Sequence, residues 1–448
     1  MDNGQHVLMG CYKATLRYLT EAGVNIGEND APRLHPPHTH AHRAAAPVPL
    51  LQRMRGLALP FRHANGNSAW LRAGGGPHPL SLVQAFLRYD LLPLPARLGI
   101  MRTALRLRWL SHSALQNLDA YSAEDWLRRC AQGKEAIALF WRPVILATMN
   151  TEPADASAKL LIVVLREIFF AGAEAADILL PTVGLSQLLI EPVRQTLEAR
   201  GARIRTGVAA TAVETYSISD GRLAVAGVQA DERYAADSVV LAVAPWACDK
   251  IATVDRDSSV AVRGGIVQWI LPDSLSWRRF IPSEILSIHV WTTRSLGEAP
   301  MTGLLGTTLQ WVFYKGRSRD ASWHYSCTVS AASGQETTDP VVFRALLLKE
   351  LRLLNPELAV DDILHILPVR EKRATFVPAP GMEQFRLLPQ TSVQGLFVAG
   401  DATATGLPST IEGAVRSGVV AAEAVLRGEG EVYVPTGGPS QVRNSSHH

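Results

Sequence analysis

Apolar residues recur at helical spacing over 80–110 and again over 123–172, dotted with arginines, and this period predicts helices rather than strands. Within the second stretch Leu160, Leu161, Val164, Leu165 and Ile168 share one stripe, which reads either as core packing or as the wall of a lipid tunnel. A further helix is expected over 184–200, with Ser186 as its N-cap and Gly201 as the left-handed residue that stops it. Alternation then replaces the helical period. Segments 203–206 and 208–213 predict strands, a second pair surrounds Asp220-Gly221 and runs over 223–228, and 237–244 reads as a continuous buried strand. A helix followed by strands with a ribbon excursion is an α/β signature. From 264 to 289, 290 to 314 and 322 to 330, aromatic and β-branched residues alternate with polar ones, predicting the mixed or antiparallel sheet of a second domain. A helix is expected over 340–354, then a strand over 395–399, a turn, and a last helix over 410–426 before a polar, fraying tail.

A chain of 448 residues exceeds one ordinary core, so two domains, or one interleaved pair, are expected. The 44 Lys+Arg and 41 Asp+Glu are scattered, which argues against a nucleic-acid partner, and 47% hydrophobic content argues against disorder. Cys11, Cys130, Cys248 and Cys327 show no paired spacing, so neither a zinc site nor a disulfide framework is expected, and a reducing, cytoplasmic setting fits. No basic leader into an apolar stretch follows Met1, and apolar runs such as 160–165 stop well short of the roughly 20 residues of a membrane span. A mean hydropathy of +0.07 still leaves room for an apolar face, so peripheral contact with the inner face of a membrane is part of the expectation. Segment 25–49, with His35, His38, His40 and His42 among prolines, reads as a loop or disordered insertion without the regular geometry a metal needs.

The chemistry concentrates near the end of the chain. A buried strand leads into Gly400-Asp401, and Gly406-Leu407-Pro408-Ser409-Thr410 leads into a helix with small residues at Gly413, Ala414 and Gly418. Gly400 permits close backbone approach to a ligand, and Asp401 can accept hydrogen bonds from a polyol. Free N–H groups at Thr410 and Ile411 favour negative charge, such as a reduced flavin develops. Close helix packing explains the small residues equally well.

Together with these, Asp2-Asn3-Gly4-Gln5-His6, Met301-Thr302-Gly303-Leu304, Gln310-Trp311-Val312-Phe313 and Glu371-Lys372-Arg373-Ala374-Thr375-Phe376 make the chain resemble the hydroxysqualene dehydroxylases. These are squalene-associated FAD enzymes of hopanoid biosynthesis in the flavin amine oxidase and phytoene desaturase superfamily. The resemblance covers nearly the whole chain. It implies an α/β fold in which an FAD/NAD(P)-binding Rossmann-like domain, N-terminally truncated here, is interleaved with an α+β substrate domain, as in amine oxidases. Segments 1–24, 175–255 and 376–428 would form the FAD-binding part, and 50–174 with 256–375 the substrate part, leaving 429–448 as tail.

The resemblance further implies FAD as cofactor and hydroxysqualene, a polyprenyl lipid, as substrate. It matches Val208 to the backbone pairing with adenine, Asp401 to the ribityl and diphosphate, and Ile411 to the N–H at the flavin N1/O2 edge. Ala242, Pro245 and Trp246 match the strand end beside the cofactor, and Gly400, Pro408, Thr410 and Ala414 belong to the same binding set. His6 and Lys372 are the candidate catalytic residues, although a lone histidine is commonly structural and an ion pair with Glu371 would explain Lys372. Two departures stand out. The chain begins at the Asp-Asn-Gly-Gln-His segment, so the Gly-x-Gly-x-x-Gly cradle that precedes it in relatives is expected to be missing, and Gly74-Gly75-Gly76-Pro77 is no substitute. Ala402 stands where a bulky aromatic is usual. Besides hydroxysqualene reduction, a carotenoid-type desaturase and an inactive polyprenyl-binding protein remain as readings.

Overall fold

The computed structural model describes residues 6–26, 50–56, 58–72, 80–172, 174–219, 221–248, 250–256, 261–262, 279–332 and 339–428. The histidine-rich insertion beyond residue 26, Gly74-Gly75-Gly76-Pro77, Asp220 and the tail 429–448 lie outside them. The chain packs as two compact units. One comprises Met1–Arg205, Phe280–Gln384 and Thr405–Arg416, and the other Thr206–Arg279, Phe385–Ala404 and Ser417–His448.

The first unit holds a seven-stranded sheet in the order Ile363–Phe376, Pro282–Thr292, Trp323–Ser330, Trp311–Arg317, Met301–Leu305, Ala58–His63, Ser68–Arg72. Every pairing is antiparallel except that of Met301–Leu305 with Ala58–His63. The period-two pattern explains its layers. Leu286, Ile288, Val290, Tyr325, Cys327 and Val329 bury one face beneath Phe343, Leu347 and Leu351 of the helix Pro340–Leu351. That helix starts where Asp339 accepts the N–H groups of Val341 and Val342, with Pro340 in its first turn.

On the opposite face Phe61, Met301, Trp311 and Phe313 join the helical core, which includes the whole stripe of the helix Ala158–Phe170. Each such buried side chain contributes roughly 1.5–3 kcal/mol. A three-stranded antiparallel sheet, Leu8–Met9, Ile178–Pro181 and Leu51–Met54, completes this unit's strands. Gly10 follows it where any side chain would strike backbone, because an added Cβ would lie 1.7 Å from the Glu174 carbonyl oxygen.

Ser186 is not an N-cap. Leu185 before it is already helical, and Ser186–Ile190 forms one wide π turn leading into the helix Glu191–Ala199. Pro192 lacks the N–H that an ordinary turn would use, which accounts for the wide spacing, and Pro143 follows a similar turn at Ile137–Trp141. Gly201, at φ +89, ends the segment as expected.

The second unit has a five-stranded sheet in the order Ala261–Val262, Ala252–Asp255, Ala212–Ser217, Leu223–Gln229, Arg233–Ala235, and a two-stranded parallel sheet of Val239–Leu241 with Leu396–Val398. Two expectations need correction here. Residues 203–206 and 208–211, Val208 among them, are irregular, because the ladder begins only where Ala212 meets Gln229, the last residue of its partner strand. The continuous buried strand at 237–244 is only Val239–Leu241, matched to a three-residue partner, and Val240 is 43% exposed. No helix among the described residues is long and apolar enough to cross a membrane.

Candidate flavin and substrate sites

In the second unit, the strand Leu396–Val398 runs into Gly400, whose φ of +129 suits glycine. No atom lies within 4 Å of where its Cβ would be, so the backbone is open on that side. Gly400 donates its N–H to Ser417 Oγ (2.7 Å), and its carbonyl accepts both the N–H (3.1 Å) and the hydroxyl (2.8 Å) of Thr403. Asp401 follows in this tight turn, and its carbonyl accepts Arg386 Nη2 at 2.7 Å. Ala402 is buried, so the small residue occupies a packed position. Ala242 is exposed after its strand, Trp246 is half-buried in the short helix Pro245–Cys248, and Val208 is half-buried.

In the first unit, Pro408, Thr410, Ile411 and Ala414 are brought together on one turn. Thr410 is the N-cap of the helix Ile411–Arg427, its Oγ1 accepting Gly413 N–H (3.0 Å) and its carbonyl accepting Ala414 N–H (3.0 Å). The N–H groups of Ile411 and Glu412 precede the first intrahelical bond and are available by geometry to an electron-rich edge. A Cβ at Gly413 would sit tightly against Thr405 Oγ1 and Thr410 Oγ1, both at 3.3 Å.

The neighbouring Glu412, only 1% exposed, is a residue the sequence reading passed over. Its carboxylate accepts the N–H of Ala14 (3.1 Å), the N–H and hydroxyl of Thr15 (both 2.9 Å) and Arg416 Nε (2.7 Å). It therefore caps the helix Lys13–Glu21, whose own Tyr12 supplies no cap. Pro408 and Thr410 line a small, largely apolar cavity with Tyr12, Val164, Ile168 and Arg416. Two members of the Leu160–Ile168 stripe thus face a cavity while all five belong to the core. Burial pushes the Cys11 thiol beside this cavity up to about 12 and raises the Tyr12 phenol, so both stay protonated at neutral pH.

His6 and Lys372 are not brought together. His6 is exposed before the three-stranded sheet, and Lys372 is exposed on the edge strand Ile363–Phe376 of the seven-stranded sheet. The Glu371 carboxylate accepts the Arg373 N–H at 3.3 Å.

A second feature that the sequence reading missed lies on the seven-stranded sheet, on the face opposite Leu286 and Val329. Ser287 pairs across the ladder with Thr328, His289 with Ser326, and Trp291 with His324. Ser287 Oγ, His289 Nε2, Ser326 Oγ and Thr328 Oγ1 are buried and have no hydrogen-bond partner among the described residues. Directly opposed side chains on a sheet stand roughly 5 Å apart, so these atoms form one polar patch. Trp311 and Phe313 flank it on the next strand. His289 Nδ1 bonds His324 Nε2 at 3.0 Å, and Trp291 stacks on His324 at 4.4 Å. Burial, His289 and Lys315 lower His324 to about 4, and burial with Lys315 also lowers His289, so both rings are neutral near pH 7. Four neighbouring buried polar atoms without partners among the described residues are unusual in a folded chain. The signal was the polar residue at every second position of two strongly apolar strands.

The arrangement is that of FAD-dependent amine oxidase-like enzymes. Putrescine oxidase bound to putrescine is similar at a TM-score of 0.59 and 15% identity, over 95% of this chain and 88% of that one. The chain belongs to the flavin-containing amine oxidoreductase family, whose profile matches residues 1–426, and it is an FAD-dependent oxidoreductase. Among curated proteins it is 28% identical to a hydroxysqualene dehydroxylase of Rhodopseudomonas palustris over 431 residues, 95% of this chain and 86% of that one. It is 31% identical to a hydroxysqualene dehydroxylase of Sinorhizobium fredii over 299 residues, 64% of this chain and 61% of that one. The open backbone at Gly400 and the tightly packed helix start at Gly413 each fit a flavin cofactor.

Proposed function

We propose that the chain reduces hydroxysqualene to squalene in hopanoid biosynthesis. The observation that carries this reading is the buried polar patch of Ser287, His289, Ser326 and Thr328 beside the aromatic side chains Trp311 and Phe313. A hydrocarbon substrate would leave those four atoms unpaired, whereas an alcohol group in an otherwise apolar molecule, with one donor and two acceptor lone pairs, would pair with up to three of them. The two hydroxysqualene dehydroxylases to which the chain is similar point the same way.

The overall change is R–OH plus hydride plus proton giving R–H plus water. Reduced FAD supplies the hydride when bound. Pro408, Thr410, Ile411 and Ala414 are the residues proposed to hold it, and the sequence resemblance adds Gly400, Asp401, Val208, Ala242 and Trp246 to the proposal. The sequence-based division into FAD-binding and substrate segments is part of this proposal. The hydroxyl groups of Ser287, Ser326 and Thr328 orient the departing oxygen. In the tautomer where His324 Nε2–H donates to His289 Nδ1, the proton of the neutral His289 ring sits on Nε2 and offers an N–H to that oxygen; in the other tautomer His289 Nε2 accepts from the alcohol. Burial keeps bulk water away from the allylic carbon as the C–O bond breaks. His6, exposed before the three-stranded sheet, and Lys372, exposed on the edge of the seven-stranded one, are given no step.

The test is product analysis by mass spectrometry. Purified protein with chemically reduced FAD and hydroxysqualene is expected to yield squalene, and Ser326→Ala combined with Thr328→Val is expected to lower kcat/KM about tenfold or more. Absence of squalene, together with a desaturated product from phytoene and oxidised FAD, would replace this reading with the desaturase one.

A further inference from the structure

The helix Leu94–Trp109 has two apolar stripes on opposite sides. One is core. Ile100, Thr103 and Leu107 are almost wholly buried, and Thr103 Oγ1 accepts Gln132 Nε2 at 2.9 Å. Arg166 holds the end of the helix by donating to the carbonyls of Leu107 (2.8 Å) and Leu110 (2.6 Å). The other stripe runs through Leu94, Leu98, Met101, Leu105 and Trp109 at the i, i+4, i+7, i+11, i+15 positions that share a helix face. Met101, midway along it, is partly buried against the core, while the other four face outward, with Leu94 53%, Leu98 49%, Leu105 46% and Trp109 81% exposed. A single exposed leucine is ordinary, but an aligned row ending in an almost bare tryptophan is not.

The charges beside this row say what covers it. At 100° per residue, Arg102 and Arg106 fall on one side of the outward stripe and Arg97 and Arg108 on the other, and the helix carries no acidic residue. Between 88 and 110 there are five arginines and one acid, Asp90. Arg97 also donates to the carbonyls of Leu92 and Leu87, so its stem is fixed beside the apolar row. An apolar stripe with arginines along both margins and a tryptophan at one end matches the boundary between acyl chains and anionic headgroups, where arginines reach up to phosphate while leucines sink below it.

We propose that the outward face of Leu94–Trp109 is a membrane-docking surface for an anionic lipid bilayer, with the helix lying in the plane of the interface. This goes beyond the proposed reaction and does not depend on which isoprenoid is reduced. Docking there gives an oxidoreductase of lipids a fixed face toward the phase in which such substrates dissolve.

Flotation with phosphatidylcholine vesicles, with and without phosphatidylglycerol, tests the proposal on the full chain. The expected result is binding that strengthens with phosphatidylglycerol, weakens as salt rises, and falls at least about tenfold in Leu98→Glu/Leu105→Glu. The thermal midpoint of that variant should match the parent, since both side chains point away from the core. Failure of the parent to float, or equal flotation of the variant, would overturn the proposal. So would sedimentation showing a dimer that the double substitution splits while vesicles bind neither form, because a second copy of the chain would then own the face.

Discussion

Two neutral imidazoles at 3.0 Å, His289 and His324, make the polar patch a place where a proton can be held without a charge being buried. Because burial lowers both rings, the unfolded chain binds more protons than the folded one between the ordinary histidine value of 6.5 and about 4. The stability this confers is complete above 6.5 and is lost as pH falls through that window. Thermal midpoints should therefore drop from pH 7 to pH 4, and His324→Phe should flatten the drop; an unchanged slope would assign the acid sensitivity elsewhere. The hydroxyls make a separate prediction. In the free protein, Ser326→Ala/Thr328→Val removes two buried groups that lack partners, so the thermal midpoint should hold or rise, by up to about 1 kcal/mol of stability. A marked fall would show that these oxygens are satisfied within the fold. Such residues were hard to read from the sequence because alternating polar positions in a strand ordinarily signal a solvated face.

Elements with local punctuation were legible. The last helix was expected from Thr410 and begins at Ile411 because Thr410 caps it, and the helix at Pro340 was marked by Asp339. Elements whose limits depend on a distant partner were not. Alternation predicts a strand at Val208, but it starts only at Ala212, and Ser186 has a cap's residue type although Pro192 reshapes the turn after it. The Glu412 clamp is of this second kind, since the residues it joins are nearly 400 positions apart. Removing it with Glu412→Ala strands the N–H groups of Ala14 and Thr15 and leaves Arg416 only its pairing with Glu167. Chemical denaturation should show a loss of about 3 kcal/mol. Gly413→Ala forces a Cβ against two threonine hydroxyls at 3.3 Å and should cost about 1 kcal/mol while weakening FAD retention, read from the absorbance left after gel filtration. An alanine variant that keeps its flavin in full would separate this turn from the cofactor. The outward stripe of Leu94–Trp109 escaped notice for yet another reason, because apolar residues on both sides of a helix cancel the one-sided pattern that marks amphipathicity.

At the scale of the whole molecule, the α/β class and a mixed sheet over 282–330 are legible from period and β-branched content, and the family from its motifs. Which residues serve the chemistry was less readable, because a site is assembled from strands and turns that the sequence separates. The central claim is that electrons leave the flavin for an oxygen-bearing isoprenoid. The most direct measurement is the visible spectrum of the protein with reduced FAD under strict anaerobiosis. Hydroxysqualene should restore the oxidised-flavin band in proportion to squalene formed, while squalene itself should leave the spectrum unchanged. A flavin that stays reduced with hydroxysqualene, or an oxidised flavin that bleaches when phytoene is added, would contradict the account.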